Sequence, residues 1–316
     1  MIPAGPGPSL RIVFFGLPLG ALLLAHDGHE IALAAISRAD GVGLRRLRRL
    51  CGADRVRLKS DVAEASFLAR VRSLEPDLLV SWFWTTRLPM SLVRAARLGG
   101  IGVHPSLLPR HRGPDPTSWA IASGDPETGV TVHRLEVDYD TGAILAQARL
   151  TIDPTWNAWN LARALDRPSL RLLRETVRRL ARGEVLAEVP QDESAATAAP
   201  FVEDEATWIE WSWPTERVLR HVRALAPAPG AETEIGGVRV TVLRAAAASS
   251  FPSVLVPGEG AVVDGSPLVR TGDGAIVLLE GVIHEDPAGA DGGEDRLAGA
   301  AELAALFLSG LRLVVG

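Results

Sequence analysis

The sequence predicts a doubly wound, mostly parallel α/β domain followed by a small β-barrel domain, on three observations. Short apolar β-type runs alternate with helical patterns as far as Leu180, as parallel strands joined by crossover helices require. A loop-like stretch from Glu184 to Glu205 then interrupts the periodicity. Beyond it, one helix precedes several short strands separated by glycine turns, which is small-barrel patterning.

The elements follow in order. Arg11 to Phe15 is a β-rich run; Gly16 and Pro18 punctuate it, and Leu19 to His26 continues as a helix ending before Gly28. Ile12 to Ala25 also has the length of a signal-peptide core, too short to span a bilayer, but it reads as strand, turn and helix, so no membrane association is expected. Glu30 to Ile36 is a second strand. After a basic stretch, Asp61 to Leu74 has helical spacing, Asp77 to Phe83 is a buried-type strand, Ser91 to Arg97 a short helix and Gly100 to Val103 a strand. Thr117 to Ser123 is helical, and Val130 to Val137 and Ala143 to Ile152 are β-type runs joined at Asp140 and Gly142. Trp156 to Leu180 is the longest helical pattern, expected to kink or break at Pro168, with Gly183 just past its end. The boundary divides residues 1–200, the catalytic candidate, from 201–316. In the second part Thr207 to Trp211 is read as a strand and Thr215 to Leu225 as a helix. Glu232 to Arg244 forms a hairpin around Gly236-Gly237, followed by strands Gly260 to Val263, Leu268 to Thr271 and Ala275 to Leu279.

Composition narrows the function. With 47% hydrophobic and 22% charged residues in 316, the chain buries a core and is neither disordered nor fibrous. The net charge of -5 supplies no overall basic field for a polyanion. Cys51 is the only cysteine, which excludes an intramolecular disulfide and a cysteine-rich zinc site and fits a reducing, cytoplasmic setting. Residues 205 to 316 hold eight Arg against fifteen Asp or Glu, a net of -7, so the second domain is acidic.

The chemistry-bearing stretch is Gly102-Val103-His104-Pro105-Ser106-Leu107-Leu108-Pro109-Arg110-His111-Arg112-Gly113. Trp119-Ala120-Ile121, Gly124-Asp125, Thr128-Gly129-Val130-Thr131 and Asp140-Thr141-Gly142 follow it. A histidine at the carboxyl end of a buried strand lies where open α/β sheets place their ligands. Asp140, in a turn between two strands, can reach the same edge and orient the imidazole for proton transfer. Spacing alone favours a structural histidine and an Asx-turn aspartate, since a His and an Asp this far apart form no self-sufficient motif.

These segments resemble the formyltransferase family that uses 10-formyltetrahydrofolate. Its signature runs Asn-x-His-x-Ser-Leu-Leu-Pro, then Gly, a Trp-Ala-Ile-like helix, Thr-Gly-Val-Thr and Asp-x-Gly. Phe15-Gly16-Leu17-Pro18, Arg87-Leu88-Pro89, Ile209-Glu210-Trp211-Ser212, the stretch from Arg223 to Gly230, and Gly272-Asp273-Gly274 extend the likeness over nearly the whole chain. The layout is similar to that of two-domain methionyl-tRNA formyltransferases. It implies a Rossmann-like catalytic domain with an OB-like C-terminal barrel, and attack of a primary amine on the formyl carbon of 10-formyltetrahydrofolate without a metal. It also implies that His104 stabilises the oxyanion and moves protons while Asp140 orients it. The family's third residue, an Asn whose amide donates to the oxyanion, is here Gly102. Losing one such donor costs about 10² to 10³ in turnover. Three accounts stay open: another donor such as Thr131, His133, the Gly102 amide or water; a changed reaction or acyl donor; or a binding-only remnant. If the site is merely weakened, Gly102→Asn is expected to raise formyl transfer; if the chemistry is rebuilt around glycine, to abolish it.

By the same resemblance the donor packs against Phe83, Trp84, Thr85, Thr86, Arg87 and Leu88 and against Val137, Asp138 and Tyr139. The residues alone leave pocket lining and core packing both open for Trp82 and Trp84, Trp84 being the better pocket candidate. Gly16, Ser106, His111 and Arg112 are the substrate candidates, the last two as holders of an anionic group. Arg45, Arg46, Arg48, Arg49, Arg55, Arg57 and Lys59 form a basic cluster, either a phosphate contact or a solvated face. A tRNA partner calls for positive charge on the second domain too, so a small-molecule amine is the expected acceptor. His26-Asp27-Gly28-His29-Glu30 matches no recognised metal spacing, and none is expected.

Overall fold

The computed structural model describes residues 8–58, 60–284 and 295–310, so Lys59 lies outside the described residues. The chain forms two compact units. The first takes in the chain up to Pro116 with Glu127–Thr151 and Arg163–Pro200; the second takes in Thr117–Pro126, Ile152–Ala162 and the chain from Phe201.

In chain order the elements as far as the long helix are β1 (Arg11–Gly16), α1 (Pro18–His26), β2 (Glu30–Ile36), α2 (Leu44–Cys51), β3 (Val56–Leu58), α3 (Ala65–Ser73), β4 (Leu78–Trp82), α4 (Met90–Val93), β5 (Gly100–His104), α5 (Pro116–Ser123), β6 (Glu127–Arg134), β7 (Ile144–Thr151) and α6 (Ala158–Ala181). The seven strands make one sheet in the order β3-β2-β1-β4-β5-β6-β7. The first five are parallel, and β6 and β7 run antiparallel. Chain order reverses direction across the sheet at β1 and β4, the crevice where such sheets bind ligands.

Both faces of the parallel strands are covered, so Ile12, Val13, Phe14 and Phe15 are all buried. Val13, Phe15, Leu33 and Ala35 pack with Phe67 and Val71 of α3 and Leu92 of α4. On the opposite face α1 comes so close that a Cβ on Gly20 would lie 2.7 Å from both the Phe14 and the Trp82 ring. Trp82 donates its indole N–H to Ser169 of α6 at 2.5 Å, which makes it core rather than pocket wall. Gly16 has a φ of +133°, and a Cβ there would lie 1.7 Å from the Trp82 carbonyl oxygen. Its carbonyl accepts from Ser37 N–H, and the Leu17 N–H donates to Trp82. Gly16 is therefore a close-packing position with committed backbone rather than a substrate contact.

Three stretches that the sequence singles out take these forms. The basic stretch is partly helix: Leu44 and Leu47 bury one face of α2 and turn Arg45, Arg46, Arg48 and Arg49 to the exterior. α6 runs through Pro168 without a break, because Leu165, Ser169, Leu173, Val177 and Leu180 keep a buried stripe that outweighs proline's cost of about 3 kcal/mol. The metal-like run is held by ordinary pairs. Asp27 pairs with Arg174, His29 Nδ1 accepts the Leu10 N–H at 3.2 Å, and Glu30 pairs with Arg11 and Arg55.

The second unit holds α7 (Thr215–Leu225), β8 (Ala231–Ile235), β9 (Val238–Ala247), β10 (Gly260–Val263), β11 (Ser266–Arg270), β12 (Ala275–Ile283), β13 (Arg296–Gly299) and α8 (Ala300–Gly310). Among the described residues these strands form a six-stranded antiparallel sheet, β10-β11-β12-β9-β8, with β13 beside β12. Val218, Val222 and Leu225 of α7 share its core with Val240, Val242, Ile276, Leu278 and Leu303. The strand expected at Thr207 to Trp211 is instead a 3₁₀ turn over Asp204–Thr207, in which Thr207 Oγ1 bonds back to the Asp204 carbonyl. Only Trp208 makes a β-bridge there, to Glu232.

Candidate active site

β5, Gly-Ile-Gly-Val-His, lies between β4 and β6 and is buried throughout. It delivers His104, 6% exposed, to its carboxyl end. His104 Nε2 lies 2.8 Å from the His111 carbonyl oxygen. A carbonyl only accepts, so Nε2 carries the hydrogen and Nδ1 is the free position of the neutral ring. Nδ1 stands 3.5 Å from Asp140 Oδ2. That oxygen also receives the Gly113 N–H at 2.9 Å. The sequence thus brought together the pair the structure brings together. The gap exceeds a hydrogen bond, and catalytic contacts of this kind tighten when substrate binds.

A second ring completes the group. His133, opposite Gly102 in the β5–β6 register, holds its Nδ1 2.7 Å from the Arg134 carbonyl and its Nε2 3.5 Å from Asp140 Oδ1. Burial lowers its pKa from the ordinary histidine value to about 4, so the ring is neutral near pH 7 with Nε2 unprotonated. Each carboxylate oxygen of Asp140 therefore faces an imidazole nitrogen able to take a proton.

Two residues near His104 adopt left-handed backbone without being glycine, His111 and Asp140, each with φ of 58°. Such strain costs of order 1–3 kcal/mol and concentrates at functional sites. The surroundings hold both. The His111 N–H donates to Thr197 Oγ1 at 2.8 Å, and Gln191 Nε2 donates to the carbonyls of Asp140 and Gly142 at 2.6 and 2.8 Å. Arg112 pairs with Ala198 across a β-bridge. Gln191, Thr197 and Ala198 all belong to the stretch read from sequence as a boundary loop; it returns to the loops bearing His111 and Asp140 and fastens them.

Several expected site residues do other work. Thr131 Oγ1, wholly buried, donates to the Ser106 carbonyl at 2.7 Å and accepts from Leu108 N–H and Gln147 Nε2. Its one hydrogen is taken, so it is a latch for the loop and not an oxyanion donor. Ser106 turns its hydroxyl to the Arg110 carbonyl at 2.6 Å. His111 is 3% exposed and serves through its backbone. The Arg112 guanidinium is engaged by Gln191 and Glu193, so it is a brace rather than an anion holder.

Of the donor-wall residues, Phe83 has φ of 56° and Trp84 packs edge-on against Phe15, ring centroids 5.6 Å apart. The Trp84 Nε1 is buried without a hydrogen-bond partner among the described residues. Thr85, Thr86 and Arg87 are exposed and Leu88 is buried. Val137, Asp138 and Tyr139 are exposed on the segment leading to Asp140. Among the described residues no group of His, Cys, Asp and Glu could hold a metal ion, and no helix is long and apolar enough to cross a membrane.

Residues 34–177 match the formyl transferase family model, and residues 202–286 match the formyl transferase C-terminal domain. Methionyl-tRNA formyltransferase of Synechococcus sp. (strain JA-3-3Ab) is 34% identical over 300 residues, covering 85% of this chain and 89% of that protein. The chain belongs to the formyltransferase family. Its members are enzymes that transfer formyl groups. Solved structures share the fold. HypX from Aquifex aeolicus, in complex with tetrahydrofolic acid, superposes with a TM-score of 0.65 at 22% identity, over 95% of this chain and 48% of that one. The N-formyltransferase from Helicobacter canadensis, with folinic acid and dTDP-3-aminofucose, gives 0.64 at 13% identity, over 85% and 98%. His133 lies opposite Gly102 in the β5–β6 register, a placement that the sequence alone did not supply.

Proposed function

We propose that this formyltransferase moves the formyl group of 10-formyltetrahydrofolate onto a primary amine of a small molecule. The observation that carries the reading is His104, fixed by the His111 carbonyl at one nitrogen and facing Asp140 at 3.5 Å with the other. Attack by the amine puts negative charge on the formyl oxygen and an extra proton on the nitrogen. Asp140 faces the ring and stabilises its charged form, so that His104 can take part in the proton transfer to the leaving nitrogen. A degenerate remnant has no reason to keep two strained residues and a dedicated brace around an aspartate.

For the donor, the orphaned Trp84 N–H is the supporting feature. A buried donor left unmet costs about 1–3 kcal/mol, which a polar edge of a bound pterin relieves. Phe83, Trp84 and Leu88 on one segment, and Val137 and Tyr139 on the other, are the residues assigned to hold it.

A second acceptor, methionyl-tRNA, is favoured by the 34% identity to the Synechococcus enzyme and by the four exposed arginines of α2. The net charge of -7 on residues 205 to 316 weighs against it. The deciding assay incubates the protein with 10-formyltetrahydrofolate and either a panel of amino acids, amino sugars and nucleotide-linked amino sugars or charged methionyl-tRNA. Tetrahydrofolate release and the mass of the formylated product are followed. Release with a small amine only is the expected result; release with methionyl-tRNA only transfers the assignment to the second acceptor.

A further inference from the structure

We propose that His133 is a further catalytic residue, its ring filling the side-chain space beside Gly102 and its Nε2 receiving the proton of the attacking amine. The inference rests on the formyl-transfer reading and deepens it.

The steric evidence is direct. A Cβ built on Gly102 would lie 2.6 Å from His133 Nε2, 2.9 Å from its Cε1 and 3.1 Å from Leu135 Cδ2. Gly102 is not in the left-handed backbone region, so its conformation does not demand glycine; the neighbouring ring does. That ring is buried, 3% exposed, and pinned by Nδ1–H donation to the Arg134 carbonyl, so it does not swing aside freely. An asparagine at 102 and this histidine compete for one place.

The chemistry follows from the tautomer. With Nδ1 protonated, Nε2 offers a lone pair. The charged and titratable groups acting on it are Asp140, His104 and Arg112, and the last is braced by Gln191 and Glu193. Burial above all, with the Arg112 guanidinium nearby, keeps the ring neutral at neutral pH, against the pull of Asp140. In the reaction the amine lone pair forms the C–N bond and the carbonyl π pair moves to oxygen. The surplus N–H proton passes to His133 Nε2, and the new Nε2–H is a donor to the oxyanion from the place beside residue 102 where an amide side chain would otherwise donate. On collapse the oxygen pair re-forms C=O and the bond to N10 of the folate breaks with its electrons on N10. The proton returns to N10 from the His133–Asp140–His104 array.

The test combines His133→Ala, the volume-keeping His133→Gln, Gly102→Asn and the double variant Gly102→Asn/His133→Ala with ring-¹⁵N NMR of the wild type. Expected are an unprotonated His133 Nε2 at pH 7 and a loss of roughly 10² or more in kcat/KM for both His133 variants. Gly102→Asn alone is expected to lower both activity and Tm, and the double variant to recover both relative to Gly102→Asn. His133→Gln covers the case in which the alanine variant fails to fold. A protonated Nε2 at pH 7, unchanged kcat/KM in His133→Gln, or full activity in Gly102→Asn overturns the inference while leaving formyl transfer by His104 and Asp140 standing. A wild type that releases no tetrahydrofolate with any acceptor overturns the underlying reading instead.

Discussion

The side-chain amide of Gln191 reaches the main chain of Asp140, donating to its carbonyl at 2.6 Å while its own oxygen receives the Arg112 guanidinium. A residue far along the chain thereby holds Asp140 in a left-handed backbone conformation uncommon outside glycine. Gln191→Ala is expected to lower kcat by about 10- to 100-fold, because a misplacement near 1 Å at a reacting group costs that much. The KM for the donor should change little, and the separation of kcat from KM in steady-state kinetics is the check. A loss confined to KM would make Gln191 part of a binding wall.

Trp84→Phe removes the orphaned indole N–H and keeps an aromatic ring against Phe15. Stability should stay within about 1 kcal/mol, since removing the unmet donor offsets the packing lost with the smaller ring. The affinity for tetrahydrofolate, measured by titration calorimetry, should fall several-fold. Unchanged affinity would place Trp84 wholly in the core.

Stability should depend on pH through His133. Its folded pKa, about 4, lies below the ordinary 6.5, so between these values the unfolded chain binds a proton that the folded chain does not. Stability is therefore full above about pH 6.5 and falls as the pH drops toward 4, by up to ~1.4 kcal/mol per pH unit. Burial shifts His29 and His221 in the same direction. Urea denaturation at pH 5 and pH 7 should show a smaller difference for His133→Gln than for the wild type; equal differences would mean that this ring is not held neutral.

Gly16→Ala should be among the most damaging single changes outside the site. The new methyl would meet the Trp82 carbonyl at 1.7 Å in a backbone region that alanine avoids. A loss of at least ~3 kcal/mol is expected in chemical denaturation.

How far the sequence foretold this architecture varies by element. β1, β2, β4 and β5 were legible because strands buried on both faces read as continuous apolar runs. His104 was legible because its strand ends at a proline turn. α2 was harder to see: two leucines three apart are a thin helical signal inside an arginine run. Gln191 and Thr197 were invisible because polar residues in an aperiodic segment carry no mark of what they bind. Thr131 was misjudged for a related reason, since the strand register fixes which face a hydroxyl occupies but not the carbonyl that claims its hydrogen. The exchange of roles at Gly102 needed coordinates, because it depends on a ring of the neighbouring strand.

The most direct measurement compares single-turnover formation of tetrahydrofolate from 10-formyltetrahydrofolate by the wild type and by His104→Ala, in the presence of an accepted amine. The account predicts amine-dependent release by the wild type and its loss by at least about 10²-fold in the variant. Release at the wild-type rate from the variant would contradict it.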